Sequence, residues 1–467
     1  MNKNYAKKIH CSNLRRCAKT KTYLYPHLQL KMRAEATNRH FRIAFKTLGC
    51  KANRAESDIL MEKLAAAGNE IVDTKNHANI YIINTCSVTN EADKKSRQAI
   101  RALKHNNPDA RIFVFGCGVR AHRKFYEKMP EVDFTDIGTE AILRMIENSD
   151  FKNKLSVSGA LISPIVNRTR AVIKIQDGCN NSCSYCIVRI LRGREQSYPS
   201  KEILKRINQK LREGYKEIVL TGINITSWKE DGGDKTGQIR DFTDLIYAIL
   251  ENTSVERLRI SSMEPEGIDA RFAKLLKNPR MCPHIHLPLQ SGADKILKLM
   301  RRKYDVKKFI NACDLIKSAS PDIAITTDVI VGFPGETEKD FLETMRLCKK
   351  IGFAKIHVFP YSKRDNTPAS IMPNQIDACV KNRRAKILRN LSDKMRREFI
   401  KTRLGKIYEV LFEQKKSGSK TNIWTGLTPN YIKVNVKSKI PLFNQIKTVR
   451  LVRLLKDEAI GELLPII

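Results

Sequence analysis

The chain has 467 residues, 42% of them apolar and 29% charged, enough for two or three globular domains with sizeable cores. No apolar run approaches the roughly 18–20 residues of a membrane-crossing helix, and no apolar leader opens the chain; this argues against a membrane-spanning or secreted protein and predicts a cytoplasmic one, with organelle import through the basic N-terminal extension left open. Lys and Arg number 86 against 49 Asp and Glu, a net charge of +37 that draws polyanions, nucleic acid foremost, the plainer alternative being a lysine-rich, solvated surface.

Residues 1–40 lack hydrophobic periodicity, and through residue 46 there are twelve Lys/Arg against one acid, Glu35. They are expected to form a disordered basic extension. The same composition resembles an organelle transit peptide, and Met32 offers a second start.

Residues 41–155 read as an open parallel α/β domain. "IAFKTLGC" predicts a strand ending at Cys50 with a helix around 53–67 behind it. "IYIINTC" ends at Cys86 and leads into the helix "NEADKKSRQAIRALK", and "IFVFGC" ends at Cys117. Strand C-termini of a parallel sheet share one edge, where ligands bind. Three cysteines separated by 36 and 31 residues can therefore converge there.

Residues 165–400 show a second alternation, with strands at 171–176, 217–222, 257–262, 284–289, 323–332 and 355–362. Helical patterns fall at 199–213, 240–251, 268–277, 294–317 and 337–350. Six βα units predict a partial (βα)6 barrel with its chemistry at the strand C-terminal ends. The segment 381–403 reads as a helix with an apolar stripe at Ile387, Leu388, Leu391, Met395 and Phe399, with Arg383, Arg384, Arg389, Arg396 and Arg397 mainly off it. Residues 402–467 alternate in "KIYEVLFE" and "YIKVNV", which predicts a small basic β-barrel.

Twelve cysteines without an export signal favour metal ligation over disulfides. Cys313 and Cys348 sit at apolar helical positions and read as core residues. The distinctive group is "GCNNSCSYC", which places Cys179, Cys183 and Cys186 on one loop after the first barrel strand. Three thiolates suit a cubane iron–sulfur cluster with one iron left open; the alternative is zinc completed by His284 or Cys282.

The spacing Cys179-x3-Cys183-x2-Cys186, with Tyr185 before the last cysteine, resembles the radical S-adenosylmethionine signature. That resemblance implies that the amino and carboxylate groups of S-adenosylmethionine occupy the open iron, and that its reductive cleavage yields a 5′-deoxyadenosyl radical. Together with the second trio, the chain from residue 42 onward resembles the methylthiotransferase family, whose C-terminal barrel is an RNA-binding TRAM module. "TLGCKANRAES", "NTCSVTNEADKKSRQAIR", "KIQDGCNNSCSYC", "HLPLQSGADKILKLMRRKY", "DVIVGFPGET" and "HVFPYSKRDNTPA" are most similar to members acting on tRNA N6-threonylcarbamoyladenosine. Related members acting on isopentenyladenosine tRNA or a ribosomal protein aspartate typically differ where this chain has Lys51-Ala52-Asn53.

The resemblance implies methylthiolation of adenine carbon 2 next to the anticodon, with S-adenosylmethionine as both methyl donor and radical source. It implies two [4Fe-4S] clusters, on Cys179, Cys183 and Cys186 and on Cys50, Cys86 and Cys117, a flavodoxin-type electron donor and a sulfur donor. Gly222, Asn224, Ser261, Ser262 and Glu264, at the ends of the second and third barrel strands, are candidates for contact with S-adenosylmethionine. Gly332, Pro334 and Gly335 read as turn-makers, and His284 and His286 as interior groups. Arg301, Arg302 and Lys303 read either as a phosphate grip or as a solvated helix face, and Trp424 and Tyr431 either as base-stacking platforms or as barrel core. Arg189, Tyr198 and Gly118 depart from the family pattern without removing a cluster ligand, and bear on the substrate entrance. A non-catalytic iron–sulfur RNA-binding protein is the competing reading from another class.

Overall fold

Continuous β-branched runs separated by amphipathic helices build two parallel sheets in succession, followed by a closed barrel. A computed structural model of the chain describes residues 40–147, 168–230, 239–416 and 422–465. The basic extension and its expected disorder, with Cys11 and Cys17, lie outside the described residues.

The first sheet consists of β1 (Arg42–Thr47), β2 (Glu70–Val72), β3 (Ile80–Thr85), β4 (Arg111–Gly116) and β5 (Phe134–Thr135), ordered β2-β1-β3-β4-β5 with every pair parallel. Alternate residues leave opposite faces of the central strand. Ile80 and Ile82 pack with Leu60, Leu64 and Ile142, whereas Tyr81 and Ile83 pack with Ile100 and Val119. The covering helices are α1 (Lys51–Ala66), α2 (Asn90–Asn106), α3 (Cys117–Glu127) and α4 (Thr139–Glu147). The expected run of β1 into Cys50 is corrected: the strand stops at Thr47, and Gly49, at φ +95°, turns the chain so that Cys50 caps α1. A Cβ at Gly49 would stand 2.9 Å from the Cys86 sulfur, so the close approach of two cysteine-bearing segments requires glycine.

The second sheet is an arc of six parallel strands: β6 (Arg170–Lys174), β9 (Glu217–Thr221), β10 (Arg257–Ile260), β11 (His284–His286), β12 (Ala324–Val331) and β13 (Lys355–Pro360), with a short hairpin β7 (Gln176–Asp177) and β8 (Gln196–Ser197). Strands β6-β9-β10 and β11-β12-β13 are joined through the bridges Leu258–Met281 and Ser262–His286. Among the described residues β6 and β13 do not pair, so the barrel is open on that side. Outside the arc lie α5 (Val188–Arg192), α6 (Ser200–Arg212), α7 (Phe242–Asn252), α8 (Ala270–Leu275), α9 (Asp294–Leu299), α10 (Val306–Ala319), α11 (Glu338–Ile351) and α12 (Ala378–Lys401). The single helix expected over 294–317 is two: Arg301 adopts φ +56°, and the Asp305 side chain accepts from the Lys308 N–H to start α10. On α12 the outward reading of Arg384 is also corrected. It is buried and binds Glu336, while Ile387 of the apolar stripe is exposed.

The third unit is a closed five-stranded barrel of β14 (Ile407–Lys415), β15 (Ile423–Leu427), β16 (Lys433–Lys437), β17 (Ile446–Leu455) and β18 (Glu458–Leu463), ordered β14-β15-β16-β18-β17. It docks on the strand-start end of the arc. The Arg259 guanidinium donates to the Pro429 carbonyl at 2.9 Å, Arg170 to Glu413 at 2.6 Å, and Asn430 and Tyr408 both bind Asp322, just before β12. The strand C-terminal ends stay free of it.

Beneath that contact Glu217 is fully buried between Arg259 at 2.6 Å and Arg257 at 2.9 Å. Burial alone would raise its carboxyl; the two guanidiniums override this and bring it down to about 2. Glu217→Gln is expected to leave two buried cations unpaired and lower unfolding stability by roughly 3–5 kcal/mol, measured by urea denaturation at neutral pH. Because the folded pKa is depressed, the wild-type advantage is complete above about pH 4.3 and is lost as pH falls toward 2.

Candidate active site

Two cysteine trios lie on either side of α5. In the first, Cys50 and Cys117 approach one atom, the side-chain oxygen of Asn53, at 3.6 and 3.9 Å. Cys86 stands against Gly49 and within electrostatic reach of the other two sulfurs. Asn53 is fixed in turn: its amide donates to the carbonyls of Leu48 and Thr85, and Asn84 donates to its backbone oxygen. In the second trio, Gly178 adopts φ +65° because any Cβ would fall 1.9 Å from the Arg194 carbonyl. The tight loop that follows holds Cys179, whose sulfur accepts from the Asn181 N–H at 3.4 Å, and Cys183, which receives the Arg302 guanidinium at 3.4 Å. Cys186 lies within electrostatic reach of both.

The donor sets suit thiolate-held clusters. Burial pushes the Cys86 thiol up to about 11 and the Cys186 thiol to about 12, so metal must displace protons on loading. Among the described residues no three His, Cys, Asp or Glu side chains gather as ligands of one ion. Thiolates of a cubane each bind a different iron and stand further apart. The zinc alternative is corrected: Cys282 is buried beside Glu217, and His284 binds Thr326 and stacks on Tyr431 at 4.6 Å, both toward the strand-start end.

The trios are tied together by charge. Arg192, at the end of α5 and 3% exposed, donates to Asn53 at 2.6 Å, Glu56 at 2.7 Å and Asp177 at 3.0 Å, and it lies within electrostatic reach of the Cys117 sulfur. Lys174 of β6 binds the same Glu56 and Asp177. Cys117 itself packs on Ile187, the neighbour of Cys186. One guanidinium thus spans the first trio's frame and the second trio's loop.

Gly222, Asn224, Ser261 and Glu264 gather at the strand ends beside this loop. Gly222 has a packing reason of its own, since a Cβ would meet the Gln176 carbonyl at 2.9 Å. The side-chain oxygen of Asn224 is buried without a hydrogen-bond partner among the described residues, and Ser261 is buried next to it in the fold. Glu264 is held by Arg302; burial raises its carboxyl and Arg302 pulls the other way. Arg302 is therefore no phosphate grip: it is buried between Glu264, Cys183 and the Tyr304 ring, leaving Arg301 and Lys303 outside. Sequence reasoning missed Gln176, fully buried, whose amide oxygen accepts from Ile223 and Asn224 and whose nitrogen donates to Gly178. A glutamine inside an apolar strand pattern was its only signal. Tyr431 leaves the small barrel for the arc, whereas Trp424 packs against the small barrel's core. Gly332 and Gly335 both adopt positive φ in the turn after β12.

The Radical SAM superfamily pattern matches residues 173–348, and a family described as "uncharacterized protein family UPF0004" matches residues 42–135. The chain is 37% identical, over 88% of its length and 94% of the relative's, to the threonylcarbamoyladenosine tRNA methylthiotransferase MtaB of Bacillus subtilis. The protein is a member of the radical SAM tRNA methylthiotransferase family. A Chlamydia pneumoniae relative of the same name is 36% identical over 89% of this chain and 96% of its own. The tRNA-2-methylthio-N(6)-dimethylallyladenosine synthase of Clostridium perfringens is 34% identical with the same two coverages.

As a methylthiotransferase the chain is an enzyme that transfers sulfur-containing groups, and its superfamily implies S-adenosylmethionine and a [4Fe-4S] cluster. Of its departures from the family pattern, Gly118 has a local cause: a Cβ there would meet Thr85 and Tyr126 at 2.7–2.8 Å. Arg189 is exposed on α5, and Tyr198 packs partly buried on the arc's core. Arg192→Ala is expected to cost roughly 3 kcal/mol, because Glu56 and Asp177 keep only Lys174. Faster hydrogen exchange in both α1 and the cluster loop is the check, and Arg192→Lys should not rescue it, since one ammonium cannot reach Asn53, Glu56 and Asp177 together.

Proposed function

We propose that this methylthiotransferase modifies carbon 2 of N6-threonylcarbamoyladenosine next to the anticodon of tRNA. The observation that carries the reading is that one guanidinium, Arg192, ties Asn53, which touches Cys50 and Cys117, to Asp177, which precedes the loop of Cys179, Cys183 and Cys186. The relatives bearing the threonylcarbamoyladenosine name, at 35–37% identity, favour that nucleoside.

In this reading Cys179, Cys183 and Cys186 hold the radical-generating cluster and Cys50, Cys86 and Cys117 hold a second one. When bound, the clusters and S-adenosylmethionine supply the radical, the methyl group and the sulfur. The protein orients and shields. Asn224 offers a buried, unpartnered acceptor, and Glu264, steadied by Arg302, offers a second one to the ribose or methionine end of the cosubstrate. Tyr185 packs edge-on to Phe333, which packs edge-on to Tyr361, an aromatic wall that keeps water from the reacting atoms. Arg192 holds both trios in register so that the adenine can face one and the sulfur-bearing site the other.

RNA capture falls to the basic exterior. A groove between the start of α2 and the β13–α12 edge is lined by Lys95, Phe359, Lys363, Lys381 and Arg389, cations for phosphates beside an exposed aromatic ring. The small C-terminal barrel extends this surface, and the target base is splayed toward the open side of the arc. A flavodoxin-type reductant and a sulfur donor complete the reaction, in the cytoplasm.

Mass spectrometry of tRNA nucleosides, from cells with and without this protein, tests the substrate. The 2-methylthio form of threonylcarbamoyladenosine is expected only in its presence; the corresponding isopentenyl product would transfer the assignment, and no product would favour a protein target or a non-catalytic binder. Iron analysis tests the second cluster: about eight irons per loaded chain are expected, falling to about four in Cys86→Ala.

A further inference from the structure

Lys51 begins α1, directly after Cys50, and α1 lies alongside β6 at the open side of the arc. Its side chain is within electrostatic reach of Arg170 on β6, Glu217 on β9, Arg259 on β10 and Tyr431 from the small barrel. It also reaches His284 on β11 and His357 on β13. Arg170, Glu217 and His284 are the first residues of their strands, so the Lys51 side chain reaches from the gap between β6 and β13 toward the strand-start end of the arc.

The interior supplies no counter-ion. Among the described residues the Lys51 ammonium makes neither hydrogen bond nor ion pair with any side chain, although the residue is half-buried. The carboxylate within its electrostatic reach, Glu217, is already engaged by Arg257 and Arg259. Desolvating a cation without a partner is costly, and an incoming anion would repay that cost. Access exists as well, since Lys355, His357 and Phe359, alternate residues of the edge strand β13, are exposed.

We propose that Lys51 is a specificity-determining residue whose ammonium receives a carboxylate carried on the N6 substituent of the target adenine, inside the arc and beside the Cys50 trio. The inference rests on the threonylcarbamoyladenosine reading and deepens it. A threonylcarbamoyl group carries one carboxylate and an isopentenyl group none, so a single cation separates the two nucleosides. The position suits the chemistry: carbon 2 and carbon 6, which carries the exocyclic N6, belong to the same six-membered ring, so a carbon 2 presented to the trio brings the N6 substituent to the neighbouring residue. An uncharged substituent would leave Lys51 buried and unpaired, which disfavours it as well.

The test uses the full, cluster-loaded chain and fluorescence anisotropy with anticodon stem-loop RNAs. Four are compared: the threonylcarbamoyl acid, its neutral methyl ester, the isopentenyl form and unmodified adenosine. The wild type is expected to bind the acid about tenfold more tightly than the ester. Lys51→Met should erase that difference and Lys51→Arg keep it, with iron content unchanged in both. Equal wild-type binding of acid and ester overturns the proposal without recourse to any variant. So does an acid preference that survives in Lys51→Met, because the carboxylate is then read elsewhere. A wild type that prefers the isopentenyl RNA, or shows no preference for any modified RNA, rejects the substrate reading itself and this inference with it.

Discussion

The buried guanidinium of Arg192 is the constraint on which the active site depends. It binds Asn53 and Glu56 of the first domain and Asp177 of the barrel at 2.6–3.0 Å, with the Cys117 sulfur within electrostatic reach. Two parallel sheets that fold around separate cores would otherwise meet through helix surfaces, which tolerate sliding. A planar fork satisfied by carboxylates and an amide from both sides does not. Lys174 closes the same set from β6, and further along α1 the acid Glu62 meets Lys210 at 2.8 Å. The strongly basic barrel and an acidic helix face thus select one docking, and that docking sets the separation of the cysteine trios.

Charge also explains the division of labour between the ends of the arc. At the strand-start end Arg170, Arg257 and Arg259 are consumed by Glu217, Glu413 and the carbonyls of the C-terminal barrel. Tyr431, at φ +66°, stacks on His284 and lies under the Arg259 guanidinium at 4.8 Å, which plugs that end with an aromatic ring. The opposite end keeps its unpartnered acceptor at Asn224 and its cysteine loop. Among the described residues the arc is also open at the gap between β6 and β13, toward which Lys51 reaches.

The loop that carries Cys179, Cys183 and Cys186 shows how a local motif relies on distant residues. Cys183 is steadied by Arg302, from the break between α9 and α10, and the backbone of Ser184 binds the Met300 carbonyl. That break cost the sequence reading a continuous helix, and it is what aims Arg302 inward. The unusual backbone at Arg301 is thus coupled to function: a straight helix over 294–317 would carry the guanidinium away from Glu264 and Cys183.

Chain order alone marks the six cysteines proposed as cluster ligands, the strands that precede them and the succession of the three units. These depend on short-range information: spacing within a loop, β-branched runs, and a turn that only glycine accepts at Gly178. Tertiary structure decided which polar residues serve the site. Gln176 and Arg192 read as ordinary polar positions along the chain, Arg302 as a phosphate grip or a solvated face and Lys51 only as a mark of the family subgroup, because the groups around them lie on other elements. Arg192 meets Asn53 across 139 residues, and Arg302 meets Cys183 across 119. The same holds for Tyr431, which alternation assigned to the small barrel and packing delivered to the arc. A side chain's partners follow from which elements pack together, and periodicity carries no record of that choice.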